Sequence, residues 1–126
     1  NVVIRPSVKI TYPWKLTLGD YAWVGDDAVL YTLGEITIGA NSVVSQKCYL
    51  CTGSHDFMSQ HFDITASPIA IGEKCWLATD VFVAPGVSVG DGTVVGARSS
   101  VFKSLPANKV CRGNPAVVIR ERVETD

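Results

Sequence analysis

Aliphatic residues recur at every sixth position over most of this chain. Every sixth residue from Ile71 to Val101 is aliphatic, and two triplets that begin at Leu18 and Ile38 keep the same spacing upstream. The residue four places after each of these six upstream positions is small. A period of six fits neither an α-helix nor simple strand alternation, and it is typical of a short strand followed by a turn. The aliphatic positions are Leu18, Val24, Leu30, Ile38, Val44, Leu50, Ile71, Leu77, Val83, Val89, Val95 and Val101.

Three strand-and-turn units make one triangular coil, so the pattern predicts an all-β parallel β-helix with the aliphatic residues inside. Glycine often follows the aliphatic residue, and we expect it to let the backbone turn the corner. The register requires a two-residue insertion between Leu30 and Ile38. Coils stacked at strand spacing then predict three internal columns. These are Leu18–Ile38–Ile71–Val89, Val24–Val44–Leu77–Val95 and Leu30–Leu50–Val83–Val101.

The hexads also predict the domain plan. The 126 residues form one domain, with coils over about 10–105, a loop expelled from the coil at 55–69 and a C-terminal cap at 106–126. Within the cap, residues 116–123 are expected to form a short helix or strand over the open end of the prism. Because the repeat is already under way at Asn1, which is not a Met, we expect further residues to precede it.

Composition narrows the function. A net charge of −1 argues against a nucleic-acid surface, and no apolar run is long enough for a membrane helix. The pair Cys48-x-x-Cys51 could be half a zinc site or a redox motif, but no second pair follows. Buried thiols are the favoured interpretation for Cys48 and Cys75, and a cytoplasmic location is expected. Trp14 and Trp23 are expected to be packing residues.

The hexads, the stretch Thr52-Gly53-Ser54-His55-Asp56 and the ending Arg112-Gly113-Asn114-Pro115-Ala116 together resemble the hexapeptide-repeat acetyltransferases. The branch that they resemble most comprises the O-acetyltransferases of colanic-acid (exopolysaccharide) biosynthesis. The resemblance implies a left-handed parallel β-helix and a homotrimer with active sites between subunits. It also implies acetyl-CoA as co-substrate, a sugar or sugar conjugate as acceptor, and no metal.

The resemblance assigns site residues as well. His55 matches the family's catalytic histidine, and Trp76 matches an aromatic residue near that site. Contacts to acetyl-CoA are implied for Thr79, Ala84, Gly96, Ala97, Lys103 and Arg120. The acceptor side departs from the galactoside enzymes, because Gly25 replaces an acceptor-binding Asn and Leu33 replaces a carboxylate. Candidate substitutes that contact the substrate are Asp26, Asp27 and Asp56.

The chemistry needs a base, because a sugar hydroxyl is almost un-ionised at neutral pH. An imidazole suits that pH, so His55 is predicted to take the hydroxyl proton in a direct transfer. Glu35 lies five places after Leu30, as His55 lies five places after Leu50. If the corner is undisturbed, Glu35 would lie one strand spacing from the imidazole and could orient it, with Asp56 as a competing orienter. A covalent route through Cys51 is the alternative mechanism.

Two other functions remain open at this stage. A γ-type carbonic anhydrase uses a similar helix, but it needs three His ligands and this chain has only His55 and His61. His61 is expected to contribute to an acceptor pocket or to have no role. A non-catalytic β-helix scaffold is the second alternative, and binding of CoA would separate it from an enzyme.

Overall fold

A computed structural model describes residues 1–123 and shows a β-helix made of three parallel sheets. Face 1 contains Val3–Ile4, Trp23–Val24, Val43–Val44, Trp76–Leu77, Val94–Val95, Lys109–Gly113 and Ala116–Glu121. Face 2 contains Lys9–Ile10, Val29–Tyr31, Tyr49–Cys51, Phe82–Val83 and Ser100–Val101. Face 3 contains Leu16–Leu18, Ile36–Ile38, Ile69–Ile71 and Ser88–Val89. A 3₁₀ turn, Pro13–Lys15, and a two-stranded hairpin, Gly53–His55 with Ile64–Ala66, lie outside the three faces.

The three predicted columns are confirmed residue by residue. On face 1, Val24 pairs with Val44, Val44 with Leu77, and Leu77 with Val95. The other two columns have the register expected from the insertion after Leu30. Eleven of the twelve column residues are at most 2% exposed, and Leu18 at the open N-terminal end is partly buried. The hexad pattern therefore specifies both the fold and its register.

Two of the three corners carry most of the candidate site residues. The 1–2 corner joins face 1 to face 2 and comprises residues 5–8, 25–28, 45–48, 78–81 and 96–99. The 2–3 corner joins face 2 to face 3 and comprises residues 11–15, 32–35, 52–68, 84–87 and 102–104.

Small polar residues at the corners link successive coils. The Ser42 hydroxyl donates to the Gly72 carbonyl at 2.6 Å and accepts from the Cys75 N–H at 2.9 Å. Thr52 does the same at the 2–3 corner, donating to the Tyr31 carbonyl and accepting from the Gly34 N–H. These hydroxyls satisfy backbone groups that the turns leave outside the sheet ladders.

Glycine directly after the inward aliphatic residue prevents a steric clash at the corner, as expected. Gly39 has no positive φ, but a Cβ there would lie 2.6 Å from the Gly72 backbone of the next coil. Positive φ occurs two residues later in the corner, mostly on residues other than glycine. In the 1–2 corner these are Asp27, Lys47, Asp80 and Arg98, and at the other corners Gly86 and Gly92 also have positive φ.

The ends of the helix differ from the sequence-based plan. Strand Val3–Ile4 pairs in parallel with Trp23–Val24, so the coils begin before residue 10. Ile4 and Ile10, six residues apart, are the signal that was missed. At the other end, Lys109–Gly113 extends face 1 in parallel, and Ala116–Glu121 folds back on it antiparallel, so the cap is a strand hairpin. The last three residues of the predicted cap, 124–126, lie outside the described part of the chain.

The expelled loop leaves the coil as a hairpin. Gly53–His55 pairs antiparallel with Ile64–Ala66, which places the excursion two residues earlier than residue 55. The chain re-enters face 3 at Ile69, whose N–H donates to the Glu35 carbonyl at 2.9 Å. The hairpin thus projects from the 2–3 corner without occupying a position in the ladder of any face.

Candidate active site

His55 ends the first strand of the hairpin and is exposed. Its Nδ1 lies 2.8 Å from the carbonyl oxygen of Phe62, on the returning side of the loop. A carbonyl oxygen only accepts hydrogen bonds, so this contact places the imidazole proton on Nδ1. Nε2 then keeps its lone pair, and it faces away from Phe62 because the two nitrogens lie on opposite sides of the ring. The hairpin thus fixes both the tautomer and the orientation of His55.

Asp56 closes the loop and does not orient the imidazole. Its carboxylate accepts from the Met58 N–H at 2.9 Å, and its carbonyl accepts from the N–H and the hydroxyl of Ser59. The Ser59 hydroxyl in turn accepts from the Asp63 N–H at 2.7 Å. These bonds form an Asx-type turn that brings Phe62 back to His55. The orienting role considered for Asp56 belongs to the Phe62 carbonyl.

Glu35 does not have the position derived for it. The prediction assumed an undisturbed corner, but the last aligned pair of this column is Tyr31 with Cys51, after which the hairpin departs. Ile36 pairs with Ile69, so the residue level with Glu35 is Pro68 and not His55. Within residues 1–123, no hydrogen bond or ion pair joins Glu35 to the imidazole. The derivation of Glu35 as the orienting carboxylate was therefore wrong in its premise.

A small cavity of about 80 Å³ opens beside the imidazole. A Cβ on Gly53 would lie 2.6 Å from Leu33 Cδ1 and 2.8 Å from Tyr31 Cε2, so both side chains lie directly over this glycine. Leu33, identified in the sequence as a departure from the carboxylate of the galactoside enzymes, thus forms part of an apolar wall. The lining residues are Tyr31, Leu33, Gly53, Ser54, His55 and Ile64.

A larger groove of about 440 Å³ runs along the 1–2 corner and the edge of face 1. Trp76 stands at its edge, half exposed, with its indole N–H donating to the Ser45 hydroxyl at 2.9 Å. The Thr79 hydroxyl donates to the Gln46 carbonyl at 3.1 Å and links two coils at the corner. The lining residues are Ser45, Gln46, Trp76, Ala78, Thr79, Val94, Gly96 and Ala97.

The groove brings together four of the residues proposed to contact the coenzyme: Trp76, Thr79, Gly96 and Ala97. Ser45 and Gln46 were missed, although they occupy the same corner one coil earlier. Ala84 and Lys103 are on the 2–3 corner, in the two coils that follow the hairpin. Arg120 is on the terminal strand, opposite Val110.

Two of the three predicted acceptor carboxylates, Asp26 and Asp27, are on the 1–2 corner, and only Asp56 is beside His55. The Asp26 carboxylate accepts from the Arg5 guanidinium at 3.1 Å, and the Asp27 N–H donates to the Ser7 hydroxyl. Gly25, identified in the sequence as a departure from the Asn of the galactoside enzymes, has no room for a side chain, since a Cβ would lie 2.7 Å from the Gln46 nitrogen. In one chain, this corner and the His55 corner are separated by the whole of face 2.

The cysteines are structural, as predicted for Cys48 and Cys75. All four are free thiols, and Cys48, Cys75 and Cys111 are buried. Burial raises the pKa of the Cys48 thiol to about 11 and also raises the pKa of Cys75. Cys51 is half-buried, and its thiol donates to the Gly53 carbonyl at 3.1 Å. Residues 1–123 contain no group of three His, Cys, Asp or Glu side chains placed to hold a metal ion.

One comparison with known proteins is decisive. The chain is 88% identical, over all 126 residues, to the Escherichia coli K12 protein named "Putative colanic acid biosynthesis acetyltransferase WcaF", of which it spans 69%. The chain belongs to the hexapeptide-repeat acetyltransferase family. It matches no protein-family model.

Solved structures agree with this assignment. A galactoside acetyltransferase in complex with coenzyme A superposes with a TM-score of 0.91 at 28% identity, over 97% of this chain and 65% of that one. A maltose O-acetyltransferase from Clostridium difficile 630 superposes with a TM-score of 0.92 at 26% identity, over 98% of this chain and 68% of that one. The predicted family, left-handed β-helix and enzyme class are thereby confirmed.

In the described part of the chain no helix is both long and apolar enough to cross a bilayer.

Proposed function

We propose that this acetyltransferase moves the acetyl group of acetyl-CoA directly to a hydroxyl of a sugar, with His55 as general base. The active site lies between subunits of a homotrimer, and the acceptor belongs to exopolysaccharide biosynthesis in the cytoplasm. The observation that carries the proposal is the bond from His55 Nδ1 to the Phe62 carbonyl. It leaves Nε2 as a neutral base on an exposed side chain, positioned by a loop that is closed through Asp56 and Ser59.

The reaction follows from that tautomer. Nε2 accepts the proton of the sugar hydroxyl as the oxygen attacks the thioester carbon. The carbonyl oxygen becomes an oxyanion, which a backbone N–H of the site would stabilise. When the tetrahedral intermediate collapses, the carbon–sulfur bond breaks and the imidazolium returns its proton to the CoA sulfur. Atoms and charge balance without a covalent enzyme intermediate, so the thiol of Cys51 is not needed.

The groove at the 1–2 corner supports the coenzyme side of the proposal. Its lining is mostly apolar and includes Trp76 and the small residues Gly96 and Ala97. Small residues let an extended pantetheine arm lie against the backbone, and largely apolar clefts are typical ligand sites. The galactoside acetyltransferase that superposes on this chain was solved with coenzyme A bound.

The separation of groove and base supports a site between subunits. In one chain the groove is on the 1–2 corner and His55 is on the 2–3 corner, with face 2 between them. An acetyl group held in the groove therefore meets the base most directly on a neighbouring copy. Ala84 is in the same coil as Thr79, and Lys103 in the same coil as Ala97. These pairs would line opposite walls of one cleft when the two corners of different copies face each other.

The acceptor assignment depends on the relatives. The 88% identical protein carries colanic acid biosynthesis in its name, and the superposed structures are named for a galactoside and a maltose activity. Sugars are thus the acceptor class that best fits the family. The apolar wall of Leu33 and Tyr31 distinguishes this site from one that holds its acceptor by a carboxylate. Four free thiols agree with a reducing compartment, where acetyl-CoA is also made.

The decisive experiment compares two substitutions of His55. His55→Ala removes both the base and the bond to Phe62, whereas His55→Asn removes the base but keeps an N–H able to reach the Phe62 carbonyl. Thiol release from acetyl-CoA would be measured across a panel of glycosides, nucleotide sugars and exopolysaccharide fragments. We expect both variants to lose roughly 10²–10⁴-fold in turnover, the usual range for loss of a general base. Both should keep CoA affinity and trimer mass by calorimetry and light scattering.

Each component of the proposal fails on a different result. A His55→Asn variant with wild-type turnover would remove His55 from the mechanism. If CoA binds but no acceptor supports release, the acceptor class is wrong. If CoA does not bind, the chain is a scaffold. A monomer with full activity would exclude the site between subunits.

A further inference from the structure

The first turn of the 2–3 corner, residues 11–15, carries an exposed aromatic pair. Trp14 is 77% exposed, so the expectation that it packs in the fold was wrong. It sits in the 3₁₀ turn Pro13–Lys15, and its ring centroid lies 5.1 Å from that of Tyr12 with the planes tilted by 37°. The turn interrupts the hexads between Ile10 and Leu18, just as the insertion and the hairpin interrupt them in the next two coils.

This turn is held rigidly despite its exposure. The Tyr12 N–H donates to the Thr32 hydroxyl at 2.6 Å, and that hydroxyl donates to the Tyr12 carbonyl at 3.1 Å. Thr32 is fully buried, so the two bonds fix the turn to the next coil. The Lys15 ammonium donates to the Leu33 carbonyl at 2.7 Å, and its Nζ lies 5.7 Å from the Tyr12 ring centroid. An exposed indole is therefore presented from a preorganised backbone, which lowers the entropic cost of binding.

The aromatic pair is linked to the cavity at His55 through Lys15 and Leu33. Lys15 contacts the backbone of Leu33, and the Leu33 side chain lies over Gly53, two residues before His55. The turn and the hairpin belong to the same corner in coils two levels apart, which corresponds to roughly 10 Å along the helix axis. An oligosaccharide that extends from the cavity along this corner runs toward Trp14.

The chemistry of this surface fits a saccharide. One face of a pyranose presents C–H groups, which carry partial positive charge and pack against the negative face of an indole or phenol ring. The same ring keeps hydroxyls at its rim, where solvent and polar neighbours remain in reach.

We propose that Tyr12 and Trp14 form a second acceptor subsite, which binds a pyranose ring of an oligosaccharide while another ring of the same chain is acetylated at His55. The inference rests on the proposed function and deepens it, because it makes the acceptor an oligosaccharide and not a single sugar. Trp14 then determines specificity for acceptor length and takes no part in the chemical step.

The test uses exopolysaccharide that has been de-O-acetylated, partially hydrolysed in acid and fractionated by size from one to about six residues. We expect wild type to prefer the longer fragments by roughly tenfold in kcat/KM. Trp14→Ala should abolish that preference by raising KM for long fragments, with kcat and the values for single sugars unchanged. Trp14→Phe should restore part of it. Tyr21→Asn, at an exposed aromatic residue on another corner, is the matched control and should behave as wild type.

The outcomes separate the subsite from the reaction itself. If His55-dependent release occurs but fragment length has the same effect in wild type and in Trp14→Ala, the subsite is refuted and the proposed function stands. A change of trimer mass in Trp14→Ala would also refute it, because Trp14 would then contact a second copy. If no fragment supports His55-dependent release, the proposed function fails and the subsite fails with it.

Discussion

Thr52 links the hairpin to the coil, and its loss should be measurable. The side chain is fully buried. Its hydroxyl donates to the Tyr31 carbonyl at 2.6 Å and accepts from the Gly34 N–H at 2.8 Å. Thr52→Val keeps the β-branched shape but removes both bonds, and the Gly34 N–H is left without that acceptor. The Tyr31 carbonyl still accepts from the Thr52 backbone N–H at 3.2 Å, so the Gly34 N–H is the group most affected by the loss of a hydrogen bond.

The magnitude follows from the two bonds. Each neutral hydrogen bond contributes about 0.5–1.5 kcal/mol net, so Thr52→Val should lower the free energy of unfolding by about 1–3 kcal/mol. For a chain of this size that corresponds to a fall in melting temperature of roughly 3–15 °C. Gly34 is only partly buried, so water can satisfy part of its N–H and the larger values are not expected.

Differential scanning calorimetry at one fixed protein concentration measures this change, because the proposed trimer would make the midpoint depend on concentration. Thr17→Val is the matched control, since Thr17 is exposed in the middle of a face 3 strand. It should leave the midpoint within about 1–2 °C of wild type. Hydrogen exchange of a peptide covering residues 31–36 should accelerate in Thr52→Val alone. Equal midpoints for the two valine variants would refute the role given to the Thr52 hydroxyl.

Two further predictions concern the interior. Val95→Asp should prevent folding, because Val95 is fully buried and the introduced charge would be unpaired. Thr37→Asp is the control and should fold, because Thr37 is exposed between two buried isoleucines. A Val95→Asp protein that is soluble and folded by circular dichroism would contradict the register. Stability should fall between about pH 8.5 and 11, because an unfolded Cys48 thiol ionises in that range while the folded thiol, with its pKa raised to about 11, keeps its proton. In chemical denaturation, the free energy of unfolding of Cys48→Ala should decline less steeply with rising pH than that of wild type. Cys51→Ala, at a half-buried thiol, is the control and should decline as wild type does. Equal slopes in all three proteins would show that Cys48 does not cause the alkaline loss of stability.

The fold was predictable because a parallel β-helix repeats one packing problem. Each inward position must be aliphatic to fill the prism, so Val24, Val44, Leu77 and Val95 are visible as a series in the sequence. Parallel pairing then fixes the register once one insertion is located. Ile4 and Ile10 belong to the same series but were missed, because they stand alone before the first interruption.

The site was only partly predictable, for a physical reason. Hexad position fixes which corner a residue occupies. The family resemblance named Thr79, Gly96 and Ala97 as coenzyme contacts, and all three line one groove. The partners of His55 depend on the path of an irregular hairpin. No period predicts that a backbone carbonyl seven residues away, at Phe62, takes the role considered for Glu35 or Asp56. Likewise, that Leu33 lies over Gly53 depends on side-chain direction at an interrupted corner.

The hairpin also bears on how such enzymes diversify. The chain leaves face 2 after Cys51 and resumes the ladder at Ile69, directly above Ile36, as though the intervening segment were absent. Lengthening a loop of this kind is inexpensive, since doubling its length adds only about 0.6 kcal/mol of closure entropy. The scaffold can therefore accept new catalytic loops, and new acceptor specificities, without any compensating change in the coils. Selection on substrate range and selection on folding would then act on different residues of the same domain.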